Sequence, residues 1–203
     1  MNIKRASITE TYHRCRSSSG MPFRNLRNAA RSVWTAIAAK RVVRRFADRA
    51  LEPEHLERIL RAGRRSGSSK NLQRWTFIVC RDRDHLRALS DLGPWAGHVA
   101  GAAVAIALVT PDPRVPEAPL SILFDLGQAA QNMMLAAWEL GVGSVPATVY
   151  EHDLARRLLG YPDDQHCEFL LSFGYPADPA SLSRPPAAGG RRDLGEMVRD
   201  ERW

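Results

Sequence analysis

The stretch "ILFDLGQAAQNMMLAAWELG", residues 122–141, is the strongest helical segment that the sequence predicts. Its apolar residues cover most of the circumference of a helix, and Gly141 stands where the helix can end. A helix that is apolar on nearly all sides must be buried. We therefore expect this helix to lie between other elements or at a subunit interface.

Shorter predicted elements precede and follow this helix. Pro53 occupies a position where a helix can begin, Asp82 is expected to cap a second helix, and Gly160 is expected to end a third. Three apolar runs are typical of strands: "WTFIVCRD" at 75–82, "VAGAAVAIALV" at 99–109 and "CEFLLSFGYP" at 167–176. This order of elements predicts a mixed α+β domain with helices packed around one sheet.

The formal charge of +7 would suit a nucleic-acid-binding protein. The positive charge is concentrated near the amino terminus, however, where residues 1–34 hold seven Lys or Arg side chains and one acid, Glu10. The rest of the chain holds 22 bases and 21 acids and is almost neutral. A nucleic-acid-binding function would therefore depend on the first segment, and it predicts salt-dependent binding that is lost when residues 1–34 are deleted.

Residues 1–32 are predicted to be a basic, disordered leader, and residues 33–203 to be one domain. The leader lacks the apolar core of a secretory signal, but an Arg-rich organelle-targeting segment would share its composition, so that interpretation stays open. The apolar run at 99–109 is too short to span a bilayer as a helix. Since the three cysteines form no CxxC motif, we expect reduced thiols in the cytoplasm.

The sequence lacks the standard motifs of phosphate-binding and hydrolytic sites. It contains no GxxxxGK[ST] loop and no GxSxG elbow, and "GVGSVP" at 141–146 has a proline where a dinucleotide-binding fingerprint needs its third glycine. The six histidines show no HExxH or paired-Cys spacing, so we expect no metal site and a surface or capping role for each. A protein without such side-chain chemistry can take its chemistry from a bound cofactor.

Six segments, in order along the chain, indicate which cofactor to consider. They are "KRVVRRF" at 40–46, "SGSSKNLQRW" at 66–75, "FDLGQAAQN" at 124–132, "GVGSVP" at 141–146, "FGYP" at 173–176 and "GRRDL" at 190–194. With this order and spacing they closely resemble the FMN-dependent nitroreductase family. One such segment would be weak evidence, whereas six of them, spread over residues 33–203, make the resemblance strong.

The resemblance implies a fold, an activity and an assembly. The fold would be α+β and nitroreductase-like, with a central, mostly antiparallel sheet flanked by helices and a long buried helix at the interface of a homodimer. The activity would be that of an FMN-dependent oxidoreductase. Electrons would pass from NADH or NADPH through flavin N5 to a small oxidised acceptor, nitroaromatic or quinone-like in vitro, in two half-reactions. No nucleic acid and no membrane are expected as partners.

The resemblance also implies which residues bind FMN. Lys40 and Arg41 would hold the phosphate and ribityl end together with Arg191 and Arg192, and Arg44 would lie near N1/O2 and favour the reduced flavin. Guanidinium groups suit both tasks because they bind phosphate in fork geometry and stabilise negative charge. The flavin would carry the chemistry, so no side chain is predicted to be catalytic.

The polar loop at 66–75 and the strand after the long helix complete the predicted flavin site. The family places such a loop, often from the partner subunit, against the polar edge of the flavin, and it places a backbone N–H near N5. Trp75 is expected to pack, and Arg45 to face solvent. The cofactor-binding residues in these two segments would be Ser68, Ser69, Asn71, Gln73, Pro146, Ala147, Thr148 and Val149.

Four positions depart from the family pattern. Val42, which we still count as cofactor-binding, stands where the family usually has Ser, and Gly67 and Arg74 replace two prolines. Lys70 adds a cation beside the flavin loop. We assign Lys70 and Arg74 to the substrate, because they could attract an anionic substrate or the phosphates of the nicotinamide cofactor. The alternative is that both only face solvent.

Specialised reactions of the same fold are the main alternatives: reductive dehalogenation, azoline or diketopiperazine oxidation, and flavin breakdown. Such branches of the family usually carry lid insertions. The segment 111–120 is short in this sequence. A short segment implies an open site and favours a general reductase.

Overall fold

The computed structural model describes residues 33–185 and 190–203 of the chain. The predicted leader, residues 1–32, lies outside the described residues, so the predicted boundary at residue 33 stays a prediction. The chain divides into two compact units. The main unit contains the described residues 33–184, and the carboxy-terminal unit contains the described residues 185 and 190–203.

The main unit is built on one four-stranded sheet. Its strands are β1 (Thr76–Cys80), β2 (Val104–Pro111), β3 (Gly143–Thr148) and β4 (Gln165–Gly174). Their spatial order is β1-β2-β4-β3, and each neighbouring pair is antiparallel. β2 lies inside the sheet and is buried on both faces, which explains its continuous apolar sequence. The predicted α+β class with a mostly antiparallel sheet is confirmed.

Helices connect the strands, and their ends follow the predicted signals. Pro53 is the first residue of its helix, Asp82 Oδ1 accepts a hydrogen bond from the backbone N of His85 at 2.8 Å, and Gly160 ends its helix with φ 69°. The helices are α1 (Val33–Ala39), α2 (Pro53–Arg64), α3 (Arg83–Leu89), α4 (Ser121–Glu139), α5 (His152–Leu159) and, in the carboxy-terminal unit, α6 (Leu194–Met197).

Two hydrophobic layers cover the two faces of the sheet. On one face, α2 and α4 pack on the strands through buried side chains that include Leu56, Ile59, Ile106, Met133 and Phe173. On the other face, α3 and α5 pack through a second set that includes Leu86, Leu89, Val109, Ala155 and Leu170. The sheet is therefore enclosed by helices, and ligand sites must lie at its edges or between helices.

One face of α4 is open in the single chain, whereas the sequence predicted that the helix is buried between other elements or at a subunit interface. The opposite face packs on the core and buries even Asp125. The exposed stripe of α4 consists of Leu123, Phe124, Gly127, Gln128, Gln131 and Asn132, and Phe124 is 70% exposed. Burial of this stripe at a subunit interface stays a prediction. Within residues 33–185 and 190–203, no helix combines the length and the apolarity that crossing a bilayer requires.

The segment 40–46, "KRVVRRF", runs along the edge strand β3, and we call it the cationic segment. The backbone N of Val43 donates a hydrogen bond to Ser144 O at 3.1 Å. Just beyond the segment, the backbone N of Ala47 donates to Tyr175 O at 2.8 Å. These bonds fix the cationic segment against the ends of β3 and β4.

Two glycines allow the cationic segment to approach the sheet closely. Gly143 of β3 and Gly174 of β4 are paired across the strands. A Cβ at Gly143 would come within 2.7 Å of Val43 Cβ, and a Cβ at Gly174 within 2.9 Å of the Phe46 ring. Any larger residue at these two positions would push the cationic segment away from the sheet.

We expect Gly143→Ala to lower the free energy of unfolding by about 1–3 kcal/mol, since overpacking has a cost of this size and Val43 Cβ cannot rotate away. Urea unfolding followed by circular dichroism measures the change. Gly97→Ala is the control, because a Cβ at Gly97 meets nothing within 4 Å. Equal free energies of unfolding for the two variants would contradict the close packing.

Candidate functional site

The cationic segment places a half-buried ammonium group next to α4. Lys40 Nζ lies 3.5 Å from the Sδ of Met134. A thioether sulfur is a weak hydrogen-bond acceptor. Burial also lowers the pKa of Lys40. An ammonium group that has lost water and gained so weak an acceptor would be stabilised by an anionic ligand, so this position fits a phosphate-bearing cofactor.

Arg41 holds the surrounding chain in place. Its Nε donates to Arg184 O at 2.7 Å, and its Nη1 donates to Ala38 O at 2.7 Å and to Lys40 O at 3.0 Å. These bonds join the end of α1 to the last residue of the main unit. Among the described residues they leave Nη2 of Arg41 without a partner, so the guanidinium group can serve the backbone and a ligand together.

Arg44 and Pro146 are both neighbours of His98. Burial lowers the pKa of His98, the positive charge of Arg44 lowers it further, and a hydrogen bond to the backbone of Pro146 acts in the opposite direction. The Nδ1 of His98 lies 3.0 Å from the Oγ of Ser172 in β4. The fold therefore brings the residue predicted to face N1/O2 close to the strand predicted to face the flavin.

His98 is a residue of this site that sequence reasoning missed. The spacing of the histidines predicts a surface or capping role, whereas His98 is half-buried against the sheet. It belongs to the 3-10 turn Gly97–Val99, which precedes β2. Only the packing of that turn on β4 brings His98 to the site, and no periodicity in the sequence reports such packing.

The predicted flavin strand, residues 146–149, alternates between surface and core. Ala147 and Val149 lie in the core and are 3% and 2% exposed, whereas Pro146 is exposed and Thr148 is half-buried. Side chains of Pro146 and Thr148 can therefore meet a ligand directly. Ala147 and Val149 can do so only through their backbone.

The polar loop, residues 66–75, is anchored on α4 by two hydrogen bonds. The backbone N of Ser69 donates to Asp125 Oδ2 at 2.8 Å, and Asn132 Nδ2 donates to Ser66 Oγ at 2.7 Å. Asp125 is 4% exposed. A hydrogen bond to a desolvated carboxylate is stronger than one between neutral groups, so Asp125 is the main anchor of the loop.

Three residues of the polar loop adopt left-handed backbone conformations. Lys70, Asn71 and Gln73 have φ values of 52°, 54° and 48°. Each such residue costs about 1–3 kcal/mol and persists only where the surroundings hold it. Here the side chain of Ser68 accepts a hydrogen bond from the backbone N of Gln73 at 3.0 Å. Backbone strain of this kind clusters at ligand sites, which supports a binding role for the loop.

The two residues assigned to the substrate differ in their surroundings. Lys70 is exposed, whereas Arg74 is half-buried, and its Nη1 is buried without a hydrogen-bond partner among the described residues. A buried guanidinium nitrogen is destabilising unless a ligand or a second chain supplies an acceptor. Trp75 stacks on Phe77 with 6.5 Å between the ring centroids, which agrees with its predicted packing role.

The cationic segment and the polar loop contact α4 on the two opposite flanks of its buried face, since Asp125 and Met134 are both buried. Lys40 meets α4 at Met134, and Ser69 meets it at Asp125, nine residues earlier. Nine residues correspond to two and a half helical turns, so the two contacts lie on opposite sides of the helix and about 14 Å apart along its axis. Within one chain, α4 separates the two halves of the predicted flavin site.

Arg191 and Arg192 belong to the carboxy-terminal unit, where both are exposed. They precede Asp193, whose Oδ1 accepts a hydrogen bond from the backbone N of Gly195 at 2.9 Å at the start of α6. These two arginines and the cationic segment belong to different units, and both are predicted to contact the flavin phosphate. That shared contact stays a prediction.

A sequence comparison identifies the family of this chain. The model of the Nitroreductase family matches residues 37–96 and 93–175. The chain belongs to the nitroreductase family. The matched residues include the cationic segment, the polar loop, α4 and β3, so both halves of the candidate site lie within the family domain.

Individual nitroreductase-family relatives agree. An Archaeoglobus fulgidus protein with the provisional name NADH dehydrogenase/NAD(P)H nitroreductase is 35% identical over 147 residues, 70% of this chain and 84% of the relative. A Vibrio harveyi NADPH-flavin oxidoreductase is 27% identical over 165 residues, 74% of this chain and 69% of the relative. The solved structure of a Clostridium difficile FMN-dependent nitroreductase matches with a TM-score of 0.69 at 25% identity, covering 81% of this chain and 96% of that chain. The predicted family and fold are confirmed.

Val42 departs from the nitroreductase pattern in its side chain but not in its backbone. It forms a parallel bridge with Ser144 of β3, and its side chain is 43% exposed. A serine here would add a hydroxyl group beside the site, and valine removes that hydrogen bond. The position of the cationic segment does not depend on this side chain.

Asp125→Ala is expected to lower the free energy of unfolding by about 1.5–3 kcal/mol, because the amide of Ser69 loses a charged acceptor. Denaturant unfolding measures the difference. Asp125→Asn is the matched variant, since it keeps an oxygen acceptor of similar shape without the charge and should restore part of the loss. If Asp125→Ala is as stable as the wild type, Asp125 is not the anchor of the polar loop.

Proposed function

We propose that this protein is an FMN-dependent oxidoreductase that uses NADH or NADPH to reduce a small oxidised acceptor. The names of the Clostridium difficile and Vibrio harveyi relatives support FMN and a nicotinamide donor. The observation in this chain that carries the proposal is Lys40, a half-buried ammonium group held by a thioether and followed in sequence by Arg41 and Arg44. Such a row of cations suits a phosphate and the negative charge of a reduced flavin.

The residues that would hold FMN form two groups. In the first group, Lys40 and Arg41 would bind the phosphate end, Arg44 would lie near N1/O2, and Pro146 and Thr148 would line the ring. When bound, FMN supplies the hydride and electron transfer. The chain contributes position and electrostatic stabilisation. Arg191 and Arg192 would assist Lys40 and Arg41 at the phosphate end. The second group comprises the hydroxyl and amide side chains of the polar loop, Ser68, Ser69, Asn71 and Gln73.

The second group would come from the partner subunit of a homodimer. In one chain α4 stands between the two groups, because their contacts lie on opposite flanks of the helix. The exposed stripe of α4 offers apolar area at Leu123 and Phe124, next to Leu120, which is 93% exposed. In a two-fold dimer packed on this stripe, each polar loop would meet the cationic segment of the other chain.

The connection between β2 and α4 favours a general reductase over a specialised branch of the family. β2 ends at Pro111 and α4 begins at Ser121, so nine residues, 112–120, join them. Asp112 and Arg114 form a bidentate ion pair with distances of 2.9 and 2.7 Å at the start of this connection. A connection this short contains no inserted lid. Nitroaromatics and quinones are therefore the acceptors to test, with Lys70 and Arg74 as the residues that would attract anionic ones.

Arg44→Ala is expected to raise the Kd for FMN about tenfold or more and to slow reduction by NADPH. A hydrogen bond to a charged group contributes about 1.5–3 kcal/mol, and 1.4 kcal/mol corresponds to a factor of ten. Quenching of flavin fluorescence measures binding. Bleaching of the visible flavin absorption after NADPH or NADH is added without oxygen measures reduction.

Arg45→Ala is the matched control for this experiment, because Arg45 is adjacent and exposed and its described hydrogen bond uses only its backbone O. It should bind FMN as the wild type does. A wild-type protein that is colourless and takes up no added FMN would refute the proposed function. Equal Kd values for Arg44→Ala and Arg45→Ala would refute only the role of Arg44.

Phe124→Glu is expected to shift the protein from dimer to monomer and to weaken FMN binding with it, since a buried unpaired carboxylate at the interface is unfavourable. Light scattering coupled to size-exclusion chromatography measures the mass. Trp95→Glu changes a side chain that is 76% exposed on another part of the surface and should leave the dimer intact. A wild-type monomer that binds FMN would contradict the shared site.

A further inference from the structure

Three side chains with metal-binding atoms meet where α5 begins beside β4. His152 is the first residue of α5, and His166 and Glu168 lie in the first half of β4. One ligand atom from each residue lies within 4.8 Å of the other two. We propose that this cluster binds a divalent transition metal ion of the Zn²⁺ type. The proposal does not depend on the proposed flavin chemistry.

The contacts within the cluster are those of an incomplete metal site. His166 is 2% exposed, and its Nε2 lies 2.7 Å from Glu168 Oε2. The rings of His152 and His166 lie 4.5 Å apart at an angle of 45°. The Nδ1 of His152 is buried and has no hydrogen-bond partner within the part of the chain that the structure describes. A buried ring nitrogen without a partner is unfavourable, and a metal ion would provide one.

A β-bulge positions Glu168 for this role. The register between β2 and β4 shifts between Leu108 and Val109, so Glu168 is an extra residue that faces no partner in β2. On the other side of β4, Glu168 O accepts a hydrogen bond from the backbone N of Val149 at 2.9 Å. Bulges redirect side chains and occur next to functional sites. The bulge therefore fixes the backbone of Glu168 while its carboxylate stays beside His166.

The donor atoms indicate the class of metal. Two imidazole nitrogens and one carboxylate oxygen suit Zn²⁺, Co²⁺ or Ni²⁺, whereas Mg²⁺ and Ca²⁺ prefer oxygen ligands alone. On binding, the ion takes the place of the proton shared by His166 and Glu168, and that proton leaves to solvent or to the other ring nitrogen. Three protein ligands leave a fourth position for water.

Neighbouring charges leave the carboxylate of Glu168 available. The hydrogen bond to Asp112 is the main reason that the pKa of the Arg114 guanidinium group is raised, and the nearby carboxylate of Glu168 raises it further. Arg114 uses Nε and Nη2 in its bidentate pair with Asp112. Glu168 therefore keeps His166 as its hydrogen-bonded partner, and a metal ion would join α5 to β4 through these ligands.

Isothermal titration of the metal-stripped full-length protein with Zn²⁺ tests the proposal. We expect about one Zn²⁺ per chain at this site and a rise in Tm of about 5–10 °C when free Zn²⁺ is about 100 times the Kd. His152→Ala and Glu168→Gln should each weaken binding at least tenfold. Glu168→Gln preserves the size of the side chain, so it decides the question if His152→Ala fails to fold by circular dichroism.

Two control variants make the result specific. His55→Ala removes a half-buried histidine that lies 2.9 Å from Tyr175 Oη, outside the cluster, and it should bind Zn²⁺ like the wild type. His13→Ala/Cys15→Ser removes metal-binding side chains from the amino-terminal segment and should also bind normally. No Zn²⁺ binding by the wild type, unchanged binding by Glu168→Gln, or loss of binding only in His13→Ala/Cys15→Ser would each overturn the proposal.

Discussion

The close approach of the cationic segment to Gly143 and Gly174 is the contact on which the candidate site depends. Because neither position carries a Cβ, Val43 and Phe46 can lie directly against the ends of β3 and β4. That seating fixes the backbone on both sides of Arg44, and the same run of chain carries Lys40 to α4. Packing therefore positions the charges of this site; the contact of Lys40 with Met134 is weak, whereas Arg41 also hydrogen-bonds to the backbone.

α4 also constrains the candidate site, because it supports the cationic segment and the polar loop and keeps the two apart. Its buried Asp125 holds the amide of Ser69 and so stabilises a loop with three left-handed residues. Its Met134 contacts Lys40 on the opposite flank. A buried carboxylate is unfavourable by itself, and the hydrogen bond from the loop offsets part of that cost. A change in the polar loop that breaks this hydrogen bond would therefore also destabilise the core around Asp125.

Local chemistry in the sequence was sufficient to predict most of the elements. Pro53, Asp82 and Gly160 mark helix ends because proline, a capping carboxylate and a left-handed glycine act within one turn of the chain. The continuous apolar run of β2 likewise reports its burial on both faces. These signals are local, so the sequence reports them even when the elements that pack against each segment are unknown.

The features that sequence reasoning missed all depend on partners far away in the chain. The sequence predicted burial of α4 between other elements or at a subunit interface. Which of its residues stay open in one chain, here Leu123 and Phe124 beside the amides of Gln128 and Gln131, depends on how the rest of the helix packs on the core. His98 and the cluster of His152, His166 and Glu168 are assembled by packing between separate elements, and motif spacing reports only ligands on one element.

Two cationic side chains of the single chain lack a good hydrogen-bond acceptor among the described residues. Lys40 has a thioether as its acceptor, and Arg74 Nη1 is buried without one among the described residues. Both lie in segments that we propose bind the flavin. A ligand and a second subunit could together supply the acceptors that Lys40 and Arg74 lack. Flavin binding and dimer formation would then be linked, because each would offset part of the free-energy cost of burying these two cations. Flavin affinity would then rise with protein concentration, and dimer stability with flavin. A site contained in one subunit would show neither dependence.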